Sequence, residues 1–246
     1  MRGSIQSNIQ ELQKRILSSC RKSGRNPDTV TVIPATKTVP VETILKAADL
    51  GYNVVAENRV QEAEEKIEVL GDRKGDLEWH FIGHLQSNKV NKVVQFASMV
   101  QSIDRMKIVR KMDRRLKKID KKIDVLIQVN VSGEASKYGI DPSQALSFVK
   151  EAASFQHVQI KGLMTIGLFS SNWTRVRDGF RLLWQLREDI DALGIPGVEM
   201  THLSMGMTND FEIAIEEGAT IIRPGRAIFG ERDKPDSYYW PGIDGS

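Results

Sequence analysis

The chain has 246 residues, of which 40% are hydrophobic and 27% are charged, and its formal net charge is +3. These values are typical of a globular protein that buries one large core or two small ones. The single cysteine, Cys20, excludes an intramolecular disulfide and a metal site built from cysteines, and the small net charge does not by itself indicate nucleic-acid binding.

The amino-terminal segment is polar, and no apolar run approaches the length that spans a bilayer. We therefore predict a cytoplasmic protein with no membrane segment. An amphipathic opening helix is predicted over residues 7–23, where isoleucine and leucine recur at helical spacing between lysines and arginines.

After this helix, short apolar runs alternate with amphipathic segments along the rest of the chain. The runs rich in β-branched residues predict strands at residues 30–40, 53–58, 78–83, 99–103, 123–131, 159–166, 197–203 and 220–223. The segments with helical spacing predict helices at residues 41–50, 59–70, 87–96, 104–119, 141–154, 174–193, 210–217 and 226–230.

Eight strand–helix units in a chain of this size predict a single-domain α/β protein, a (β/α)₈ TIM barrel. The barrel and its opening helix are expected over residues 1–232, followed by a tail without periodicity at residues 233–246. A doubly wound open sheet is the alternative, but it would usually carry a glycine-rich fingerprint after the first strand, and none is present.

Polar and glycine residues follow the predicted strands where a barrel of this kind places its active site. Lys37 lies at the end of the first strand. Desolvation there would lower the pKa of a lysine and favour Schiff-base formation with an aldehyde. The alternative is a lysine that extends from the strand end into water.

The loops after the seventh and eighth strands are suited to binding a phosphate group. Ser204 offers a hydroxyl, and Gly206 and Gly225 allow backbone N–H groups to approach a ligand closely. A phosphate held there would lie across the barrel mouth from Lys37. The ligand that joins an aldehyde to a phosphate in this way is pyridoxal 5′-phosphate (PLP).

Several ordered motifs support this interpretation. They are AENRVQE at 56–62, HFIGHLQSNK at 80–89, VNV at 129–131 with SKYG at 136–139, GLMT at 162–165, LSMGMTND at 203–210 and RPGRAIFG at 223–230. In these motifs the sequence resembles the YggS/PROSC family of pyridoxal phosphate homeostasis proteins. That family is similar to the amino-terminal barrel of alanine racemase, and the resemblance implies the same fold without the racemase carboxy-terminal β domain.

The resemblance implies a role for each matching site residue. Lys37 would carry the Schiff base, and Arg223 would face the cofactor near its ring nitrogen or its phosphate edge. The phosphate would be held by the Ser204 side chain and by backbone groups of Met205, Gly225 and Arg226. The ring would be lined by Asn58, His80 and Met164. The sequence departs from the family at Ala56, where glycine is usual, and at Arg59, where tyrosine is frequent.

The resemblance also implies a role in PLP storage, delivery or sensing rather than robust catalysis. A cation near the ring nitrogen would weaken the cofactor as an electron sink, and the sequence ends soon after the eighth strand, without the domain from which racemases draw a second base. The alternatives are a weak PLP-dependent racemase or lyase and a regulatory module. The expected partners are PLP and apo forms of PLP-dependent enzymes, and the expected state is a monomer.

Two further patterns carry alternatives of their own. His80 and His84 are four residues apart, but they flank a strand end, so a zinc site is not expected. The segment of residues 105–122 holds ten lysines and arginines that either form a solvated face or bind an acidic partner, anionic lipid or nucleic acid. Because no aromatic residues are interleaved with these cations, we expect no nucleic-acid partner.

Overall fold

The computed structural model describes residues 4–134 and 138–231, and the tail predicted at residues 233–246 lies outside the described residues. The strands are β1 (Thr31–Val32), β2 (Val54–Glu57), β3 (Glu78–Phe81), β4 (Ala97–Ile103), β5 (Ile123–Gln128), β6 (Val158–Met164), β7 (Val198–Ser204) and β8 (Ile221–Ile222). The helices are α1 (Ile5–Lys22), α2 (Val41–Ala48), α3 (Val60–Leu70), α4 (Val90–Phe96), α5 (Met106–Lys118), α6 (Ala145–Ala152), α7 (Trp173–Asp191), α8 (Phe211–Glu216) and α9 (Arg226–Phe229).

All eight strands pair in parallel in the order β1-β8-β7-β6-β5-β4-β3-β2. A parallel bridge between Ala35 and Ala56 then joins the chain beyond β1 to β2. The Ala56 N–H donates to the Pro34 carbonyl at 2.9 Å, and the Thr36 N–H donates to the Ala56 carbonyl at 2.9 Å. These bonds close the sheet on itself, and the predicted (β/α)₈ barrel is confirmed.

The first strand is shorter than the sequence predicts, because Pro34 has no N–H to donate to the ladder. The chain nevertheless remains beside its neighbour after β1 ends. The Ile33 N–H donates to the Ile222 carbonyl at 2.9 Å, and the Ala35 N–H donates to the Pro224 carbonyl at 3.0 Å. Residues 33–36 therefore serve as barrel wall and lead directly into the loop that carries Lys37.

Alternation along the strands divides the core into two layers. The inner layer consists of side chains inside the ring, which are Ile33, Ala56, Met99, Leu126, Met164 and Ile221. The outer layer packs the other strand face against the helices, and it includes Leu12, Val100, Leu163, Phe180 and Leu203. A strand residue next to an inner-layer residue therefore faces the helices, and this rule decides where each candidate site residue lies.

None of the helices within residues 4–134 and 138–231 combines the length and the apolar character needed to cross a bilayer. The same part of the chain contains no cluster of three or more histidine, cysteine, aspartate or glutamate side chains arranged to hold a metal ion.

Candidate functional site

A cavity of about 460 Å³ opens at the carboxyl ends of the strands. Its size is in the range of pockets that bind small ligands. The polar side chains on its wall are Lys37, Asn58, Ser170, Ser171, Thr208, Asn209, Asp210, Arg223 and Arg226. The apolar side chains on its wall are Ala35, Ile82, Met164, Ile166, Leu168, Phe169, Trp173 and Met207.

Lys37 reaches this cavity from the loop that follows the β1 edge of the barrel. Only 9% of the residue is exposed, so its amine lies at a largely desolvated position rather than in bulk water. The alternative of a lysine that extends into solvent is therefore not supported by the burial. Ala35 and the loop after β8 flank it on the same wall.

Asn58 lies on the cavity wall directly after β2. Its Oδ1 atom is buried and has no hydrogen-bond partner among the described residues. The loop after β3 packs tightly against Asn58, since a Cβ atom added to Gly83 would lie 1.9 Å from the Asn58 carbonyl oxygen. The Gly83 contact thus holds the Asn58 backbone, and the side chain keeps a buried acceptor without a partner among the described residues.

Arg223 follows β8 and is almost fully buried, with 3% exposed. Its guanidinium donates to the Ser204 hydroxyl and, at 2.7 Å, to the Thr165 carbonyl. Burial lowers the pKa of Arg223 to about 10, and the nearby carboxylate of Asp210 opposes this shift. The side chain therefore keeps its positive charge at neutral pH and supplies a fixed cation to the floor of the cavity.

A chain of hydrogen bonds continues from Arg223 across the inside of the barrel. The Ser204 hydroxyl donates to Gln101 Oε1 at 2.6 Å, and Gln101 Nε2 is 2.9 Å from His80 Nδ1. His80 Nε2 is 3.4 Å from Glu78 Oε1. Hydrogen bonds from His80 and Ser98 lower the pKa of Glu78 to about 2.

The loops after β7 and β8 are bonded to each other at the cavity rim. The Thr208 hydroxyl accepts from the Gly225 N–H at 3.3 Å and from the Ala227 N–H at 3.2 Å. Asp210 Oδ1 accepts from the Met207 N–H at 2.6 Å. Burial raises the pKa of Asp210 to about 6, so this carboxyl titrates near neutrality.

The structure brings six of the nine predicted site residues to the cavity wall, which are Lys37, Asn58, Met164, Arg223, Gly225 and Arg226. His80 and Ser204 lie beneath the wall inside the barrel and connect to it through Arg223. Met205 packs in the outer core layer, and its N–H donates to the Ile221 carbonyl at 3.0 Å. Alternation explains this placement, because neighbours on a strand face opposite sides of the sheet.

Gln101, which is fully buried and connects His80 to Ser204, was not among the predicted site residues. The signal was available, since a glutamine inside the apolar run of β4 has to find a partner within the barrel. Thr208 and Asp210 were likewise not predicted as site residues; they lie within the 203–210 motif and fix the loop.

A second depression, of about 950 Å³, lies on the outer surface beside α5. Ser87 and Asn91 lie on its wall together with six cations, which are Lys107, Lys111, Arg114, Arg115, Lys117 and Lys118. This is the basic segment that the sequence indicates. It does not share a lining residue with the cavity at the barrel mouth, which remains the candidate site.

Known proteins similar to this chain share both its sequence and its fold. The family model described as "Alanine racemase, N-terminal domain" matches residues 2–233. A protein of Aquifex aeolicus named pyridoxal phosphate homeostasis protein is 41% identical over 224 residues, which cover 91% of this chain and 96% of that protein. A protein of the same name from Haemophilus influenzae is 38% identical, covering 93% and 96%.

Among solved structures, PipY of Synechococcus elongatus with PLP bound superposes with a TM-score of 0.77 at 32% identity, covering 89% of this chain and 99% of PipY. The sequence matches extend over nearly the whole barrel. Their identities are higher than those of proteins that share only a fold. The chain therefore belongs to the family of pyridoxal phosphate homeostasis proteins, within the larger alanine racemase amino-terminal-domain family.

Proposed function

We propose that this protein binds PLP in the cavity at the barrel mouth and acts in intracellular PLP homeostasis by storing, delivering or sensing the cofactor. The observation that carries the proposal is that Lys37 and Arg223 line one small cavity of suitable volume. The Lys37 amine can bond to an aldehyde of a ligand. The buried Arg223 guanidinium can bind an anionic group or a hydrogen-bond acceptor of the same ligand.

The chemistry of the wall fits such a ligand. Asn58 offers a buried, unpartnered oxygen, and Ile82 and Met164 offer apolar surface for a ring. Gly225 and Arg226 lie on the rim where a phosphate would bind. Lys37 would hold PLP through a Schiff base to its aldehyde, and this bond would form with release of one water molecule and without any oxidant or reductant.

Three of the predicted site residues do not line the cavity, and we propose a different role for them. Ser204 would contact a phosphate directly only if its hydroxyl left Gln101 and Arg223, so we propose that it acts through Arg223. His80 would likewise act on the ring edge through Gln101 and Ser204. Met205 would contribute its backbone to the loop, because its side chain belongs to the outer core.

Binding rather than turnover is favoured by the ionisable groups at the cavity. Arg223 stays cationic at neutral pH, and a cation beside the ring nitrogen would oppose ring protonation and weaken the cofactor as an electron sink. We also propose that the protein is a cytoplasmic monomer that supplies PLP to apo forms of PLP-dependent enzymes.

One observation favours a second candidate function, a weak racemase or lyase acting on a small amino acid. Asp210 lies on the cavity wall, and its pKa of about 6 suits a general base. Turnover of a panel of amino acids that is lost in Asp210→Asn would support this function, and absence of turnover above the level of free PLP would leave binding alone.

The primary test is the absorption spectrum of the purified protein with added PLP, before and after borohydride. The wild type should absorb in the near-ultraviolet to violet, and borohydride should fix the cofactor on the peptide that contains Lys37. Lys37→Ala should lose both signals, whereas Lys14→Ala, at an exposed position on α1, should keep them. A wild type that takes up no PLP would overturn the proposed function.

A further inference from the structure

The loop that carries Lys37 packs against buried charged side chains that do not line the cavity. Glu57 is the last residue of β2 and is fully buried. Since Ala56 faces the inside of the barrel, Glu57 faces the surrounding helices, where Lys66 of α3 meets it. These two side chains form an ion pair at a position where only 7% of Lys66 is exposed.

Every hydrogen of the Lys66 ammonium is committed to this region. Its Nζ donates to the Thr36 carbonyl at 2.7 Å, to Glu62 Oε1 at 2.8 Å and to Glu57 Oε1. An ammonium has three hydrogens to donate, so these acceptors account for all of them. Burial raises the pKa of Glu57, and the charge of Lys66 opposes that shift.

The bonds from this cluster reach the residues on both sides of Lys37. Before it, the Thr36 hydroxyl donates to Glu57 Oε1 at 2.8 Å, and the Thr36 carbonyl accepts from Lys66. After it, the Thr38 N–H donates to Glu62 Oε1. The backbone is therefore held immediately before and immediately after the lysine that lines the cavity.

Thr38 shows what this restraint accomplishes. Its φ angle is +65°, in the left-handed region that a β-branched residue rarely adopts. Such a conformation persists only where the surroundings over-determine it. The bond from the Thr38 N–H to Glu62 and the bond from the Val39 N–H to the Thr36 carbonyl, at 2.9 Å, together hold the turn around Lys37.

We propose that Glu57, Glu62 and Lys66 are positioning residues that hold the backbone around Lys37 so that its amine points into the cavity. This inference rests on the proposed function only for its consequence on PLP binding, because the loop geometry stands by itself. A buried ion pair is weak grounds for stability alone, since apolar replacements of similar volume often serve equally well. The contacts on both sides of Lys37 are what a merely stabilising pair would not need.

The test compares three variants and one control. Glu62→Ala removes the acceptor of the Thr38 N–H, whereas Glu62→Gln keeps an acceptor and should behave as wild type. Glu57→Met with Lys66→Met removes both buried charges together and leaves neither unpaired. Glu64→Ala is the matched control. Glu64 lies on the same helix as Glu62 and Lys66, but its ion pair with Lys92, at 2.7 Å, does not touch the loop.

Two measurements are made on each protein. The first is amide hydrogen exchange of residues 36–39 in cofactor-free protein, where Glu62→Ala and the double variant should lose protection. The second is the rate at which added PLP bonds to Lys37, which misplacement of the amine should slow by about ten-fold to one hundred-fold. Global stability from urea unfolding should stay near wild type in the double variant, which separates positioning from a structural role.

The inference is overturned if Glu62→Ala and the double variant keep wild-type exchange and bonding rates, or if Glu64→Ala changes them equally. A wild type that bonds no PLP would remove the proposed function but not the exchange measurement. Loss of loop protection in the variants would then still support the backbone restraint, so the two failures are distinguishable.

Discussion

The two buried polar networks at the barrel mouth differ in what they hold. Beneath Lys37, Glu57 and Lys66 form a buried ion pair and bond to backbone and side-chain groups of Thr36. Beneath Arg223, the hydrogen-bond partners are the neutral groups of Ser204 and Thr165. The first network fixes a stretch of backbone and leaves the lysine side chain to reach the cavity. The second fixes a charged side chain directly.

This difference has an energetic consequence. A paired buried charge that loses its partner stays buried and uncompensated, whereas a neutral group that loses a partner loses one hydrogen bond. We therefore expect the Lys37 side of the cavity to respond sharply to single substitutions and only weakly to paired ones. The Arg223 side should respond in smaller steps, one hydrogen bond at a time.

The largest effect is expected from Lys66→Met alone. This substitution leaves the Glu57 carboxylate buried without its cationic partner. It should lower the free energy of unfolding by about 3–5 kcal/mol. Urea unfolding monitored by tryptophan fluorescence measures it. The paired change of Glu57 and Lys66 to methionine should recover most of this loss. Equal losses in the single and paired variants would mean that the two charges do not compensate each other.

The next effect is a pH dependence from Asp210, the carboxyl beside Arg223. Its folded pKa of about 6 lies above the ordinary 3.8, so the folded state holds this proton more tightly than the unfolded state does. The raised pKa costs no stability below about pH 4, and the cost grows to about 3 kcal/mol as pH rises through 6.

Asp210→Asn keeps an acceptor for the Met207 N–H and removes this titration. The difference in unfolding free energy between variant and wild type, measured from pH 4 to pH 7.5, should therefore increase with pH in favour of the variant. A flat difference over that range would show that Asp210 is ionised equally in both states.

A smaller effect is expected from Arg223→Met. The Thr165 carbonyl and the Ser204 hydroxyl each lose a charged donor, and we expect a loss of about 2 kcal/mol in the free energy of unfolding, well below that of Lys66→Met. Equilibrium urea titration would compare the two. A loss as large as that of Lys66→Met would contradict the distinction between the two sides.

The smallest effect is expected from Ser204→Ala, which removes one link between Arg223 and Gln101. The expected loss is about 1 kcal/mol, because both neighbours keep other partners. Thermal unfolding of the variant beside wild type measures it. A change of several kilocalories would show that the interior network acts as one cooperative unit.

The barrel and much of its site could be predicted because both follow from strand ends. Asn58 and Arg223 come directly after an apolar strand, Lys37 follows the segment that continues β1, and parallel strands bring such positions to one rim. The different placements of Met205 and Ser204 could not be predicted from the sequence. They differ only in which face of the sheet they occupy, and that depends on a register that the sequence leaves open by one residue.

The support beneath Lys37 could not be predicted at all. Glu62 and Lys66 are four residues apart on a helix, a spacing that most often indicates a solvent-exposed pair. Only the burial of Glu57 at the end of β2 turns that pair inward, and the strand and the helix come together through packing rather than through a local motif.

The chain of bonds through the barrel interior has a direction. Arg223 donates to Ser204, Ser204 to Gln101, Gln101 to His80, and the remaining ring nitrogen of His80 faces Glu78. Arg223 has no acceptor and the Glu78 carboxylate has no hydrogen to donate, so the two ends set the direction of the hydrogen bonds between them. The series begins at a cation and ends at an anion, and the field between them favours this one orientation. The hydrogen bonds inside the barrel therefore all point the same way, from Arg223 towards Glu78. No individual side chain can reverse this direction by rotating alone.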